Sequence, residues 1–267
     1  MKENPTIIIG GGLQGLATAN ALIDRGEEVL LLERSSGVAT QTSFANAGML
    51  TPSQAAPWNS MADIVKILSG IGKKDSPMLL KLDQVPSLFF WGLRFLLNSS
   101  KSKYRSNTEN ICKLAQHSLE LTKQIREKYG FNYDHSTVGT MKIFRDESSF
   151  SKASKEVERL SDLGLTFKVL TNQEVVDQEP FLSDVSNKIS GGIIFPDDET
   201  GDAYKFCKEL ETAIREKGGR IHVNTEVKRI HFNKGAVNSV VTDRVEIKAS
   251  RVVLTSGSWT NLSLIHI

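Results

Sequence analysis

The chain has 267 residues, enough for two domains that each bury a core, and its charge is nearly balanced at 33 basic and 31 acidic side chains. The sequence lacks the excess of basic residues that would indicate a nucleic-acid partner. No apolar run is long enough to predict a membrane span, and the N-terminus turns glycine-rich too early for a signal peptide. We therefore expect a cytoplasmic protein in which Cys112 and Cys207 are buried thiols. The histidines show no metal-ligand spacing, so we expect no metal site.

The most informative motif lies at the N-terminus. Residues 7–9 are an apolar run, and residues 10–15 read Gly-Gly-Gly-Leu-Gln-Gly, a G-x-G-x-x-G loop. A helix is predicted over residues 16–25, Gly26 ends it, and a second strand over residues 29–32 closes on an acid. This order is the fingerprint of a βαβ unit that binds a dinucleotide, whose pyrophosphate meets the free N–H groups at the helix N-terminus.

Within this unit the residues have different predicted roles. Gly10 allows the tight turn, Gly12 lets the backbone approach a pyrophosphate, and Gly15 lets helix and strand pack closely. Glu33 can accept hydrogen bonds from ribose hydroxyls and would repel a 2′-phosphate, which argues against NADP. Arg34 is either an adenosine contact or a solvated charge. The other loop residues of the predicted cofactor site are Gly11, Leu13 and Gln14.

Hydrophobic periodicity predicts the elements that follow. Helices are predicted over residues 61–68, 88–97 and 108–129. A strand at 139–145, a helix at 147–163 and strands at 165–170 and 191–195 come next. A helix at 203–217 leads to a strand at 220–223, a meander at 227–232, 236–241 and 245–247, and a final strand at 251–254. Strands embedded among helices predict a mainly parallel sheet with an inserted second domain.

Three blocks of the sequence resemble the FAD-dependent amine and amino-acid oxidoreductases, and within them the D-amino-acid dehydrogenases. The first block is the glycine loop through the acid at the end of the second strand. The second is Gln-Thr-Ser-Phe-Ala-Asn-Ala-Gly at residues 41–48, running on to residues 55–58. The third is Pro-Asp-Asp-Glu-Thr-Gly-Asp at residues 196–202, and Gly-Ser-Trp at residues 257–259 fits the same pattern.

The resemblance implies an α/β fold and FAD rather than NAD. It implies a Rossmann-like FAD-binding domain formed by residues 1–60 and 186–261, with a helical and mixed α+β substrate domain inserted over residues 61–185. Ala47 and Gly48 are small enough for the backbone to lie close to a flat ring, and Ser43 and Asn46 can bond phosphates or the polar ring edge. Thr42 completes this part of the predicted site. The alternative is a packing loop of small residues.

Other residues of the resemblance remain open between two interpretations. Gly257 either lets the chain pass near the pyrophosphate or simply ends a strand. Val227 either offers a backbone group to adenine or is an ordinary meander residue. The acids of the third block act on substrate, or they form the loop and the N-cap of the helix that follows, with Thr200 or Asp202 as the cap. These acids are Asp197, Asp198, Glu199 and Asp202.

The implied activity is oxidative deamination of D-amino acids to 2-oxo acids and ammonia, with hydride transfer to flavin N5 and electrons passed to a quinone or another respiratory acceptor. In this family the arginine that binds the substrate carboxylate lies later than this sequence reaches, so no catalytic residue is assigned. A hydroxyproline, sarcosine or glycine oxidoreductase of the same fold is an alternative, as is an NAD-binding Rossmann reductase.

The apolar residues 88–97 precede three cations, Lys101, Lys103 and Arg105. Such a segment suits a peripheral contact with the inner face of the plasma membrane. The alternative is a buried helix that covers the domain junction.

The last six residues, 262–267, read Leu-Ser-Leu-Ile-His-Ile, which matches a translated sequencing adapter. We therefore expect native sequence to stop near Asn261. The chain is then expected to be a C-terminally truncated fragment that binds FAD poorly and is inactive by itself.

Overall fold

The computed structural model describes residues 4–60, 64 and 85–260. The chain divides into two compact units. The first comprises residues 1–49, 124–136 and 201–267, and the second comprises residues 50–123 and 137–200.

The helices of the described residues are α1 (Leu13–Ile23), α2 (Val85–Leu97), α3 (Lys101–Tyr129), α4 (Glu147–Ser161), α5 (Asn172–Gln178) and α6 (Ala203–Glu216). The strands are β1 (Thr6–Ile9), β2 (Val29–Leu32), β3 (Met49–Leu50), β4 (Thr140–Phe144), β5 (Lys168–Leu170), β6 (Gly191–Phe195), β7 (Glu199–Thr200), β8 (Arg220–His222), β9 (Val227–Asn233), β10 (Ala236–Thr242), β11 (Glu246–Lys248) and β12 (Arg251–Leu254). Short 3-10 helices cover Pro52–Gln54, Pro180–Lys188 and Gly257–Trp259.

The first unit is built on a parallel sheet in the order β12-β1-β2-β8. Ile8 and Leu31 pack on one face against residues of α1 and α6. Ile7 and Leu30 pack on the other face against the antiparallel meander β9-β10-β11, for example against Ile230. Because the sheet is covered on both faces, β1 and β2 read as continuous apolar runs rather than as alternating ones. The predicted α/β fold class is confirmed.

The second unit contains the antiparallel sheet β4-β6-β5. Helix α4 packs on one face of this sheet, where Val157 joins the buried Ile193 and Phe195. Cys112 of α3 lies in a separate core of this unit, and Cys207 lies in the core of the first unit. Burial raises the pKa of both thiols, that of Cys207 to about 12, and the prediction of two buried thiols is confirmed.

The two units divide the chain differently from the predicted domains. Strand β6 pairs with β4 and β5, so the contacts of residues 186–200 place them in the second unit rather than with the FAD-binding residues. The end of α3 and the loop after it, residues 124–136, belong to the first unit. Neither exchange is marked in the sequence, because a strand does not reveal which sheet it will join.

Most predicted elements are present, with shifted ends. Helix α3 begins at Lys101, seven residues before the predicted start at residue 108. Helix α5 was not predicted, although Thr171 and Glu174 form the reciprocal capping box that its sequence allows. Of the helix predicted over residues 61–68, only Ile64 lies within the described residues.

The interpretation of residues 88–97 as a buried helix is wrong for the side chains that are described. Phe90 is 77% exposed, and Phe89 and Leu97 are each exposed by more than half. An apolar run has the same sequence on a surface as in a core, so composition could not decide this point. Within the described ranges, no helix combines the length and the apolar character needed to cross a bilayer.

A polar cluster fixes the end of α3 inside the first unit. Lys217 and Lys128 donate hydrogen bonds of 2.8 and 2.9 Å to the carboxylate of Asp24. The Tyr129 hydroxyl lies 3.0 Å from both oxygens of the same carboxylate. Partial burial of Asp24 by itself raises the pKa of its carboxyl group. The hydrogen bonds, that from Lys217 above all, outweigh burial and lower this pKa to about 2.

Replacing Asp24 with Asn should destabilise the chain at neutral pH by about 1 kcal/mol, because two ammonium groups lose their shared partner and solvent screens the remainder. Since the pKa of Asp24 is depressed in the folded state, the stabilisation is present above its ordinary value of 3.8 and is lost as the pH falls through about 2. Urea unfolding between pH 7 and pH 2 should therefore show the two proteins converging at low pH. The exposed Asp184→Asn is the matched control, and an Asp24→Asn deficit that persists at pH 2 contradicts the assignment.

Candidate functional site

The candidate site lies at the carboxyl edge of the parallel sheet in the first unit. Ile9, the last residue of β1, is in register with the last residues of both β2 and β12. Because parallel strands end at the same edge, the residues that follow these strands meet there: Gly10, Glu33 and Thr255. The sheet thus brings together two predicted cofactor-binding residues and one that was not predicted.

The glycine loop is closed by contacts that leave no room for a side chain. A Cβ on Gly15 would lie 1.9 Å from the carbonyl oxygen of Gly10. Gly10 itself has a φ of +112°, and a Cβ there would lie 2.8 Å from the carbonyl oxygen of Thr255. The hydroxyl of Thr255 lies 2.9 Å from the carbonyl oxygen of Ile9 and 3.0 Å from that of Gly10. The predicted roles of the two glycines therefore match the geometry, and Thr255 is the residue that holds the turn from the other strand.

Gly12 differs from its neighbours because the protein itself leaves it space. A Cβ at this position would meet the Ser43 hydroxyl oxygen at 3.4 Å, an ordinary contact, and nothing nearer. Gly12 is the N-cap of α1 and has no side chain of its own to cap the helix, and no acid lies in the first turn. The Ser43 hydroxyl oxygen accepts the N–H of Leu13 at 3.1 Å. The helix N-terminus is thus open to an anion such as a pyrophosphate, and the second sequence block lies against it.

The carboxylate of Glu33 is held by backbone donors. The N–H of Gly11 bonds one oxygen at 2.7 Å, and the N–H of Ser35 bonds the other at 2.8 Å. A carboxylate has about four lone-pair positions, so both oxygens can still accept a hydroxyl hydrogen. The two bonds orient Glu33 at the edge where ribose hydroxyls are expected.

The second block forms an exposed loop with a fixed backbone. The N–H of Gly48 donates to the side-chain oxygen of the exposed Asn46 at 2.8 Å, a bond that does not use the two N–H groups of the Asn46 amide. Gly48 has a φ of +61°, and a Cβ there would lie 2.2 Å from the carbonyl oxygen of Gly201, whose N–H bonds the carbonyl of Gly48 at 2.8 Å. The loop thus brings the second and third blocks into contact within the first unit. Thr42 and Ala47 are exposed on this loop.

The buried Ala39 supports the same loop, although it was not predicted as a site residue. Ala39 has a φ of +58°, a conformation that costs a residue with a Cβ on the order of 1 kcal/mol. Its N–H donates to the carbonyl oxygen of Gly11 at 2.8 Å, which ties the loop to the glycine turn. No sequence signal indicates this position, since alanine seldom adopts a positive φ.

The acids of the third block have separate structural partners. Asp202 caps α6 by accepting the N–H of Lys205 at 2.9 Å, as the capping interpretation predicts. In the second unit, the buried Asp198 accepts the hydroxyls of Ser53 and Thr140, each at 2.6 Å. Glu199 is also buried in that unit, with Lys123 at 3.5 Å, whereas Asp197 is exposed. The contacts favour loop and cap structure over a shared catalytic cluster.

The remaining predicted residues are Arg34, Val227 and Gly257. The exposed Arg34 guanidinium stacks 4.1 Å from the centroid of the Trp259 ring. The Val227 side chain is buried in the core, which leaves only its backbone for a ligand. Gly257 has a φ of +55° with nothing within 4 Å of an added Cβ. Trp259 was not predicted as a site residue.

These features fit a flavin dinucleotide. The open glycine at the helix start suits a pyrophosphate, the oriented acid at the end of β2 suits a ribose, and the exposed small-residue loop offers backbone and amide donors to a ring. All of the predicted cofactor-binding residues lie in the first unit. Which of them contact the cofactor stays a prediction.

The chain is similar in sequence to curated proteins. The chain is 32% identical over 258 residues to a D-amino acid dehydrogenase of Vibrio vulnificus, covering 97% of this chain and 62% of that protein. It is 34% identical over 252 residues to the D-amino acid dehydrogenase of Paramagnetospirillum magneticum, covering 94% of this chain and 60% of that protein. The chain therefore spans about three fifths of the length of these relatives.

Solved structures share the fold. Glycine oxidase from Bacillus cereus matches with a TM-score of 0.67 and 21% identity, over 99% of this chain and 58% of that one. L-proline dehydrogenase from P. horikoshii matches with a TM-score of 0.67 and 20% identity, over 97% and 54% of the two chains. Residues 6–266 match the family described as FAD dependent oxidoreductase. The glycine edge, the small-residue loop and this match together establish that the chain belongs to the DAO family of FAD dependent oxidoreductases, whose cofactor is the predicted FAD.

Proposed function

We propose that this chain is the FAD-binding portion of a dehydrogenase that oxidatively deaminates D-amino acids to 2-oxo acids and ammonia. When bound, FAD supplies the hydride acceptor at N5, and the protein supplies binding and orientation. The electrons then pass to a quinone or another respiratory acceptor. The observation that carries the FAD-binding part of the proposal is the contact of the exposed loop at residues 41–48 with the glycine edge. The similarity to D-amino acid dehydrogenases supports the activity.

Each part of the site has a task in this proposal. Gly12 and the N-terminus of α1 hold the pyrophosphate, and Glu33 accepts the ribose hydroxyls. Asn46 and the loop backbone through Gly48 lie at the ring, where outward amide donors can bond its polar edge. Arg34, stacked on an indole, lies where it can cover the adenosine.

Gly12→Ala provides a test of FAD binding that is separate from folding. The added methyl meets only an ordinary contact at 3.4 Å, so the free energy of unfolding should change by less than about 1 kcal/mol. The same methyl occupies the approach of the pyrophosphate, so the affinity for FAD should fall by about ten-fold or more. Quenching of FAD fluorescence measures the affinity, and thermal unfolding measures stability.

The matched control is Gly92→Ala in α2, where an added Cβ meets nothing within 4 Å. This variant should bind FAD as the parent chain does. Equal FAD affinity in Gly12→Ala, or parent-chain binding of NADP as tight as that of FAD, would contradict the assigned site.

The reaction is tested by dye reduction. A protein of the relatives' length that contains these residues should reduce an artificial dye with D-alanine and other D-amino acids, without matching oxygen uptake. Turnover confined to glycine, sarcosine or hydroxyproline would select the alternative oxidoreductases of the same fold. Membership in the FAD family already removes the NAD-binding reductase as an alternative.

A second proposal concerns the apolar surface of α2, for which we infer a peripheral membrane contact. Trp91 stacks on Phe95 with centroids 5.1 Å apart, and Trp58 packs on the same ring at 5.1 Å. Phe89 and Phe90 are exposed beside this aromatic cluster. The sequence from residue 84 to residue 108 contains no acid. Exposed aromatic side chains flanked by cations suit the headgroup region of an anionic bilayer, where a membrane quinone would also be accessible.

Phe90→Glu should abolish flotation of the protein with vesicles that contain phosphatidylglycerol, because a carboxylate opposes both insertion and the anionic surface. Phe181→Glu is the matched control, since Phe181 is 95% exposed in the same unit but lies outside α2. The control should float like the parent protein. No flotation of the parent protein, or equal loss in both variants, would refute the contact at α2.

A further inference from the structure

A trough in the second unit combines an apolar wall with two cations. Its cavity has a volume of about 240 Å³. The lining side chains are four aliphatic ones and two basic ones: Ile143, Arg145, Leu182, Val185, Lys188 and Ile189. No acid is among them, so the trough has a definite chemical character.

One wall comes from the end of β4. Side chains along a strand alternate between its faces, so Ile143 and Arg145 lie on the face opposite to Phe144. Phe144 packs towards α4, with its ring centroid 5.7 Å from that of Phe150. The trough is therefore on the sheet face that α4 does not cover.

The other wall comes from the 3-10 helix Pro180–Lys188. This helix has three residues per turn, which places Leu182, Val185 and Lys188 in one row. The Asn172 amide donates to the carbonyl oxygens of Ser186 and Ile189, each at 2.6 Å. These bonds fix the row in place, so the wall is a built feature rather than a loose loop.

Each wall ends in a cation, Arg145 just after β4 and Lys188 at the end of the 3-10 helix, and both cations lie at the same end of the trough. The N–H of Ser190 donates to the carbonyl oxygen of Phe144 at 2.8 Å, which sets the end of the 3-10 helix beside the end of β4. Lys188 and Arg145 are each within two residues of this bond. In the part of the chain that the structure describes, no carboxylate forms an ion pair with either cation. The carboxylate of Asp146, next in sequence, is occupied by the N–H of Ser149 at 2.8 Å.

We propose that this trough binds a small monocarboxylate with a branched aliphatic body. The carboxylate lies between Arg145 and Lys188, and the aliphatic body lies along the two apolar rows. A fork of guanidinium donors beside an ammonium is the arrangement that favours a carboxylate, because charge-assisted hydrogen bonds are stronger than neutral ones. The volume of about 240 Å³ limits the ligand to a small molecule.

The test uses the whole chain without FAD, so its result does not depend on the proposed deamination. 4-Methylpentanoate is titrated into protein with labelled Ile, Leu and Val methyl groups, and 4-methylpentanamide serves as its uncharged counterpart. We expect methyl resonances of Ile143, Leu182 and Val185 to shift with the carboxylate. The amide should bind about ten-fold more weakly or not at all.

Arg145→Gln and Lys188→Gln should each weaken carboxylate binding by about ten-fold while leaving the weak binding of the amide unchanged. The matched control is Arg159→Gln, which removes an exposed cation from α4 on the other side of the sheet. That variant should bind as the parent chain does. Equal affinity for acid and amide, shifts confined to methyl groups elsewhere, or an equal loss in the control each overturns the proposal.

Discussion

The close packing of helix α1 against the glycine turn that precedes it governs this structure. The N-terminal turn of α1 approaches the carbonyl of Gly10 so closely that a single added carbon on Gly15 would lie 1.9 Å from it. That approach aims the helix N-terminus along the carboxyl edge of the parallel sheet. Thr255 secures the arrangement from β12, with its hydroxyl 2.9 and 3.0 Å from the carbonyl oxygens of Ile9 and Gly10. Everything assigned to the cofactor is arranged around this contact.

Within the first unit, residues 41–48 of the second block contact the end of the third block at Gly201. Gly48 of the second block contacts Gly201 of the third, and a Cβ on Gly201 would lie 2.6 Å from the ring of Tyr133. The N–H of Asp202 donates to the carbonyl of Tyr133 at 2.8 Å, and Asp202 begins α6. The third block is thus conspicuous in sequence for a structural reason. Asp202 caps α6, and Gly201 allows the close approaches to Gly48 and Tyr133.

The two units carry different kinds of chemistry. In the first, the residues predicted to bind the cofactor act mainly through backbone groups that glycine and small side chains expose. In the second unit, the two proposed contact surfaces are formed by side chains instead. One consists of aromatic rings on α2, and the other of aliphatic side chains with two cations in the trough. On both surfaces exposed apolar side chains lie near basic ones, which is the chemical basis of the two contacts proposed above.

The sequence alone determined the βαβ unit, the acid at its end, most helices and strands, and the family, because glycine spacing and hydrophobic period are local properties. It also indicated Asp202 as a cap, since a cap acts on the helix that immediately follows it. Only the tertiary structure decided that β6 belongs to the second unit, that Thr255 and Ala39 hold the glycine turn, and that α2 is exposed. These features depend on which distant segments come together, and such long-range pairing leaves no periodic signal in a single sequence.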